Sequence, residues 1–147
     1  MARSFGLKAK LTFTYVFNVD ASVGSGGVNK REDVLLVQYL LAVWMSREKD
    51  PRLIPLIIGK EPTRIDGIFG NKTKDEIKTF EILHEDRVVS DGMVHPMTAG
   101  SGVLTSKQKS TKLFLLNQEL FFAGGLRGGV PETRIPFPAE LIAPLFR

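Results

Sequence analysis

Residues 64–73 read RIDGIFGNKT, and 25 residues further on residues 89–98 read VSDGMVHPMT. Asp-Gly is turn chemistry: aspartate accepts hydrogen bonds from backbone amides just ahead of it, and glycine tolerates positive φ. The apolar residue that follows then turns inward, Ile68 or Phe69 in the first copy and Val94 in the second. Threonine comes next, Thr73 and Thr98, in the position of a helix cap. Each loop thus sinks one side chain into the core and launches a helix, and its return indicates a repeated unit.

Helical segments flank these loops. Residues 30–46 carry Val34, Val37, Gln38, Leu41 and Trp44 along one face at helical spacing, widened by Leu36 and Leu40. Asn29 followed by Glu32 has the form of a capping box. Pro51 and Pro55 break the pattern, with RLIPLII between this helix and the first loop. After the first loop, Thr73 and Glu76 repeat the capping pair, and KDEIKTFEILHE offers Ile77, Phe80, Ile82 and Leu83 as buried positions. Thr105 with Gln108 opens a third helix, whose stripe is Leu113, Leu116, Leu120 and Phe121 and which stops at Gly124–Gly125. The expectation is a mainly α chain: an N-terminal strand and glycine-rich loop over 1–28, a three-helix body over 29–125, and an irregular proline-rich tail over 126–147 packed on the body.

The strand is expected over residues 8–19. Leu11, Phe13, Tyr15, Phe17 and Val19 share one face, while Thr12, Thr14, Val16 and Asn18 share the other. A strand needs a partner, and one left unpaired can join another chain's sheet. DASVGSGGVN (20–29) lacks the glycine spacing of a phosphate loop and reads as a plain linker.

Composition sets wide bounds. A chain of 147 residues is long enough to bury a core without staples, and with no cysteine it has neither disulfides nor thiolate metal sites. The formal charge of +4 is spread among acidic residues, as in NKREDV and NKTKDEIK, without the basic stripe that tracks a phosphate backbone. The N-terminus has no signal-peptide form, and no apolar run reaches membrane-spanning length. Synthesis in the cytoplasm is expected, with delivery to the periplasm or cell wall needing a non-classical route.

The ordered series Asp33-Val34-x-x-Val37-Gln38-x-x-Leu41, Asp66-Gly67-Ile68-Phe69-Gly70-x-x-Thr73, Ile77-x-x-Phe80 and Asp91-Gly92-x-Val94-x-Pro96-x-Thr98 resembles the three-helix peptidoglycan-binding domain family. The likeness covers about residues 29–98 and extends toward the helix at 106–122. Two departures stand out. Glu81 replaces the second glutamine of the family pattern, and His95 stands where glycine is usual.

The resemblance implies a non-catalytic module that holds peptidoglycan, as glycan or muropeptide, in a shallow groove near the Asp-Gly loops. The ligand-binding set it suggests is Gln38, Arg64, Asp66, Phe69, Asn71, Lys72, Asp91 and His95. Arg64 and Lys72 are suited to a stem-peptide carboxylate. Gln38 has the alternative of bridging helix to loop, and Trp44 is a glycan platform or a core residue. No catalytic, metal or cofactor site is expected. His84 and His95 lack the spacing of zinc ligands, the serines lack a nucleophile elbow, and Asp66 and Asp91 already have turn roles. His84 suits a helix end, where a cation is favourable. The rival expectation is a structural or interaction protein of a phage-tail-like or secretion assembly, docking through strand 8–19. Nucleic-acid binding ranks last.

Overall fold

The computed structural model describes residues 3–6, 15–47, 64–97, 108–122, 126–127, 130–131 and 135–142. These residues are mainly α. Three α-helices, α1 (Arg31–Arg47), α2 (Asn71–Leu83) and α3 (Gln108–Phe122), are accompanied by two-stranded antiparallel ladders. β1 (Arg3–Gly6) pairs with β2 (Tyr15–Asn18), and β3 (Val23–Gly24) pairs with β4 (Met93–Val94). β5 (Leu126–Arg127) and β6 (Val130–Pro131) form the third ladder, and a 3-10 turn covers Ala139–Leu141. The proline break at 51–55, Thr105 and Gly124–Gly125 lie outside the described residues.

α1 is the centre of the packing. Every residue from Asp33 to Trp44 is buried, so the helix has no solvent stripe along that length. It touches α2, α3, β3 and the 3-10 turn. Its sequence allows this, since Asp33 and Gln38 are its main polar side chains there, and both are hydrogen-bonded. Trp44 is fully buried, edge-on to Phe80 at 4.9 Å between ring centres, which makes it a core residue rather than a glycan platform. Phe80 in turn stacks on His84 at 4.2 Å, and the His84 Nδ1 lies 2.9 Å from the Phe80 carbonyl at the end of α2.

Several local expectations change. Ile82 is 51% exposed, because the inward face of α2 runs through Thr73, Ile77, Phe80 and Glu81 and leaves position 82 one step off. Asn29 does not cap α1. It sits at φ 57°, where its side chain accepts from the Gly24 N–H and donates to the Gly24 and Gly27 carbonyls. Thr73 does not cap α2 either; Gly70 occupies the N-cap without a side-chain bond. Phe69 is the inward residue of the first loop, whereas Ile68 is 65% exposed.

The glycine-rich loop is not a plain linker. Asp33 holds its start by accepting from the Asp20 and Ala21 N–H groups, and β3 adds to β4 beside the second Asp-Gly turn. Gly24 (φ 138°) lies so close to this turn that a Cβ there would collide with the Gly92 carbonyl oxygen.

Residues 8–14 of the expected strand lie outside the described residues. Over 15–18 the strand is not unpaired, because β1 flanks it within the chain. The Phe17 N–H and C=O are both taken by the Asn117 side chain of α3, at 2.6 and 2.9 Å. Asn18 trades two 2.8 Å bonds with the Met97 backbone. These bonds pair Phe17 and Asn18 within the chain, so this part of the strand is not the unpaired element that was expected.

Candidate functional site

The two Asp-Gly corners have the same internal geometry. Gly67 and Gly92 take φ 75° and 74°. The Asp66 Oδ1 accepts the Ile68 N–H at 2.9 Å, and the Asp91 Oδ1 accepts the Met93 N–H at 3.0 Å. Three residues after each aspartate, Phe69 and Val94 turn toward the core. Both corners are also braced by helix side chains, through different chemistry.

Gln38 of α1 braces the first corner. Its Oε1 accepts the Asp66 and Gly67 N–H groups at 3.0 and 2.9 Å. Its Nε2 donates to the Asp66 Oδ1, the Ile68 carbonyl and the Thr73 hydroxyl oxygen at 3.1, 3.0 and 3.1 Å. One neutral amide thereby satisfies both donors and acceptors of the turn, and its burial leaves it nothing to offer a ligand.

The second corner divides that task between two charges. Glu81 of α2 accepts the Gly92 N–H at 2.9 Å, as the Gln38 oxygen does for Gly67. A carboxylate cannot donate, and Lys112 of α3 supplies the missing donor. Its Nζ lies 2.6 Å from the Asp91 Oδ1, 2.6 Å from the Met93 carbonyl and 3.4 Å from the Glu81 Oε1. The Met93 carbonyl corresponds in position to that of Ile68. A buried Glu–Lys pair therefore does what Gln38 does alone, and it ties α2, α3 and the corner together.

His95 completes the second corner, with its Nε2 2.7 Å from the Asp91 Oδ2. Burial pushes the Asp91 carboxyl up, but the hydrogen bonds from Lys112, His95 and the Met93 N–H outweigh it and hold the group down at about 2. The Ile68 N–H chiefly lowers the Asp66 carboxyl, against a smaller opposing effect of burial.

The expected ligand-binding residues divide accordingly. Gln38, Asp66, Asp91 and His95 are engaged in holding the corners, and Phe69 packs against the core. Around the first corner, Arg64 and Asn71 are exposed and Lys72 is half-buried. Arg64 stands 3.8 Å from the Asp66 carboxylate. Gln38, Arg64, Asp66, Phe69, Asn71 and Lys72 gather at the first corner, whereas Asp91 and His95 belong to the second. Lys112 was absent from the sequence expectation. Its one available sign is position, a cation beside Leu113 and four residues before Leu116 in an apolar stripe. Among the described residues no cluster of acidic or histidine side chains has the form of a metal site, and no helix is long and apolar enough to cross a membrane. Compared with known proteins, the chain matches no family model, no curated protein and no solved structure.

Proposed function

We propose that this chain is a non-catalytic binding module of the three-helix peptidoglycan-binding kind, and that the rim of its first corner is the surface that holds wall polymer. One contrast carries the proposal. The polar atoms at the heart of both corners are consumed internally, while the first corner exposes Ile68 on a segment whose Arg64 and Asn71 are exposed too. An exposed branched apolar side chain on the same segment as a cation and an amide suits a ligand with an apolar sugar or alanyl face, amide groups and a carboxylate. The adjoining start of α2 has no side-chain cap and adds its positive end to the same rim. Such a module acts by localisation: it keeps a polymer near whatever else the assembly carries.

The rival assembly reading relied on an unpaired strand, and the pairing of β2 with β1 and Asn117 withdraws that support over 15–18. Co-sedimentation with purified sacculi tests the proposal. Wild type is expected in the pellet, and Arg64→Ala/Ile68→Ser/Lys72→Ala in the supernatant with its urea midpoint unchanged. Equal recovery of the two proteins in the pellet counts against the rim.

A further inference from the structure

Arg31, the first residue of α1, lies outside the family-like pattern and was not among the expected site residues. Its guanidinium joins three separate parts of the chain. Nη1 donates to the Asp66 carbonyl of the first corner at 2.7 Å. Nε and Nη2 form a two-pronged fork on the Glu140 carboxylate of the C-terminal 3-10 turn, at 3.2 and 3.0 Å. The arginine stem lies across Gly67, where an added Cβ would meet its Cγ at 2.8 Å. The glycine of the corner therefore leaves the space that seats the arginine, and the corner carbonyl fixes the direction of its fork.

The fork is built for a carboxylate, since two parallel N–H donors match two carboxylate oxygens. The pair is open to water, with the Arg31 and Glu140 side chains 54% and 56% exposed. Exposed pairs of this kind hold weakly and are screened by salt. Glu140 is also not the sole anchor of its segment. Leu141 beside it is fully buried, and Phe137 meets the Tyr39 ring edge-on at 5.0 Å.

We infer that Arg31 is the carboxylate seat of the wall-binding face, and that the chain's own Glu140 fills it as a tethered competitor until a stem-peptide carboxylate displaces it. This deepens the wall-binding proposal and rests on it for the source of the carboxylate. The rim residues Arg64, Ile68 and Lys72 then contact the body of the ligand, while Arg31, joined to the corner through the Asp66 carbonyl, takes its anionic end. Glu140 sets a threshold, because an incoming carboxylate must compete with one held at high effective concentration.

The test follows arginine side-chain N–H resonances of the full chain by NMR while acetate replaces chloride at constant ionic strength. Glu140→Gln is expected to bring the Arg31 Nε–H to half-saturation at about two- to fivefold less acetate than wild type. In wild type alone, the Glu140 carboxylate resonance is expected to move at the same midpoint as Arg31, since one carboxylate replaces the other. Identical midpoints for Glu140→Gln and wild type, no Arg31 response, or separate midpoints for Arg31 and Glu140 would overturn the inference. Muramyl dipeptide is expected to displace acetate from the seat more effectively than a short Glu-rich peptide of equal charge. The opposite order overturns the assignment to wall peptide. Retention on sacculi without an Arg31 response sinks this inference alone, whereas an Arg31 response without retention sinks the wall-binding proposal.

Discussion

Replacing Lys112 by Met and Glu81 by Gln, singly and together, should turn the second corner into a copy of the first. Lys112 is 1% exposed and makes its closest contacts to the Asp91 carboxylate and the Met93 carbonyl. Lys112→Met keeps most of the aliphatic stem but leaves Glu81 and Asp91 as neighbouring carboxylates without a cation. Breaking a buried pair in this way costs about 3–5 kcal/mol. Glu81→Gln keeps an oxygen for the Gly92 N–H and leaves Lys112 paired with Asp91, so its cost is about 1 kcal/mol. In the double variant, the new amide can donate to the Asp91 Oδ1 and the Met93 carbonyl, as Gln38 does to the Asp66 Oδ1 and the Ile68 carbonyl. Its net cost should be about 1–2 kcal/mol, which leaves a coupling of about 3 kcal/mol in the cycle. The chain's single tryptophan, Trp44, is fully buried and reports unfolding by fluorescence. At a slope of about 2 kcal/mol per molar urea, the double variant should unfold roughly 1.5 M later than the sum of the singles implies. Additive losses would refute the equivalence of Gln38 with the Glu81–Lys112 pair.

Acid should act through the same corner. The folded Asp91 pKa of about 2 lies below its ordinary value of 3.8, so the carboxylate's contribution is complete above about pH 4 and is lost as pH falls toward 2. The shift amounts to about 2 kcal/mol, and urea titrations of Asp91→Asn should show a correspondingly flatter pH dependence in that range. Gln38→Glu puts a carboxylate on the first corner with no lysine to answer it. It should cost about 3–5 kcal/mol at pH 7, with the deficit against wild type shrinking as the new group protonates. Gly24→Ala should abolish the β3–β4 contact and lower the melting temperature by many degrees, while Gly26→Ala, also at positive φ but facing open space, should cost only about 1–2 kcal/mol. Thermal melts of the two variants compare them directly.

The corners were legible because their signals are local. Asp-Gly sets its own turn, and an apolar residue three positions later must choose a side, which Phe69 and Val94 do in the same register. The helix from Val34 to Trp44 was legible as a helix with one apolar face, but the structure buries it all round, Leu35, Tyr39 and Val43 included. Residue type alone misassigned the helix starts. Asn29, Thr73 and Gly70 are all acceptable caps by composition, but the backbone turns Asn29 inward on its own loop, and Gln38 recruits the Thr73 hydroxyl. The charged brace was harder to see, since Glu81 and Lys112 are remote in sequence. Each occupies an inward position of a helix, four residues after Ile77 and four before Leu116, yet one sequence does not say that the two positions meet. Arg31 and Glu140, 109 residues apart, are joined only by the return of the tail onto α1.

On the proposed function, the first corner presents a polymer-binding rim while the second serves as its braced structural twin. Amide chemical-shift mapping of the full chain with soluble muropeptides from digested sacculi tests it most directly. Shifts should concentrate at Arg64, Ile68, Asn71 and Lys72, with Gly92 and Met93 nearly unmoved. A spectrum unchanged by muropeptide, or one whose changes centre on the second corner, would contradict it.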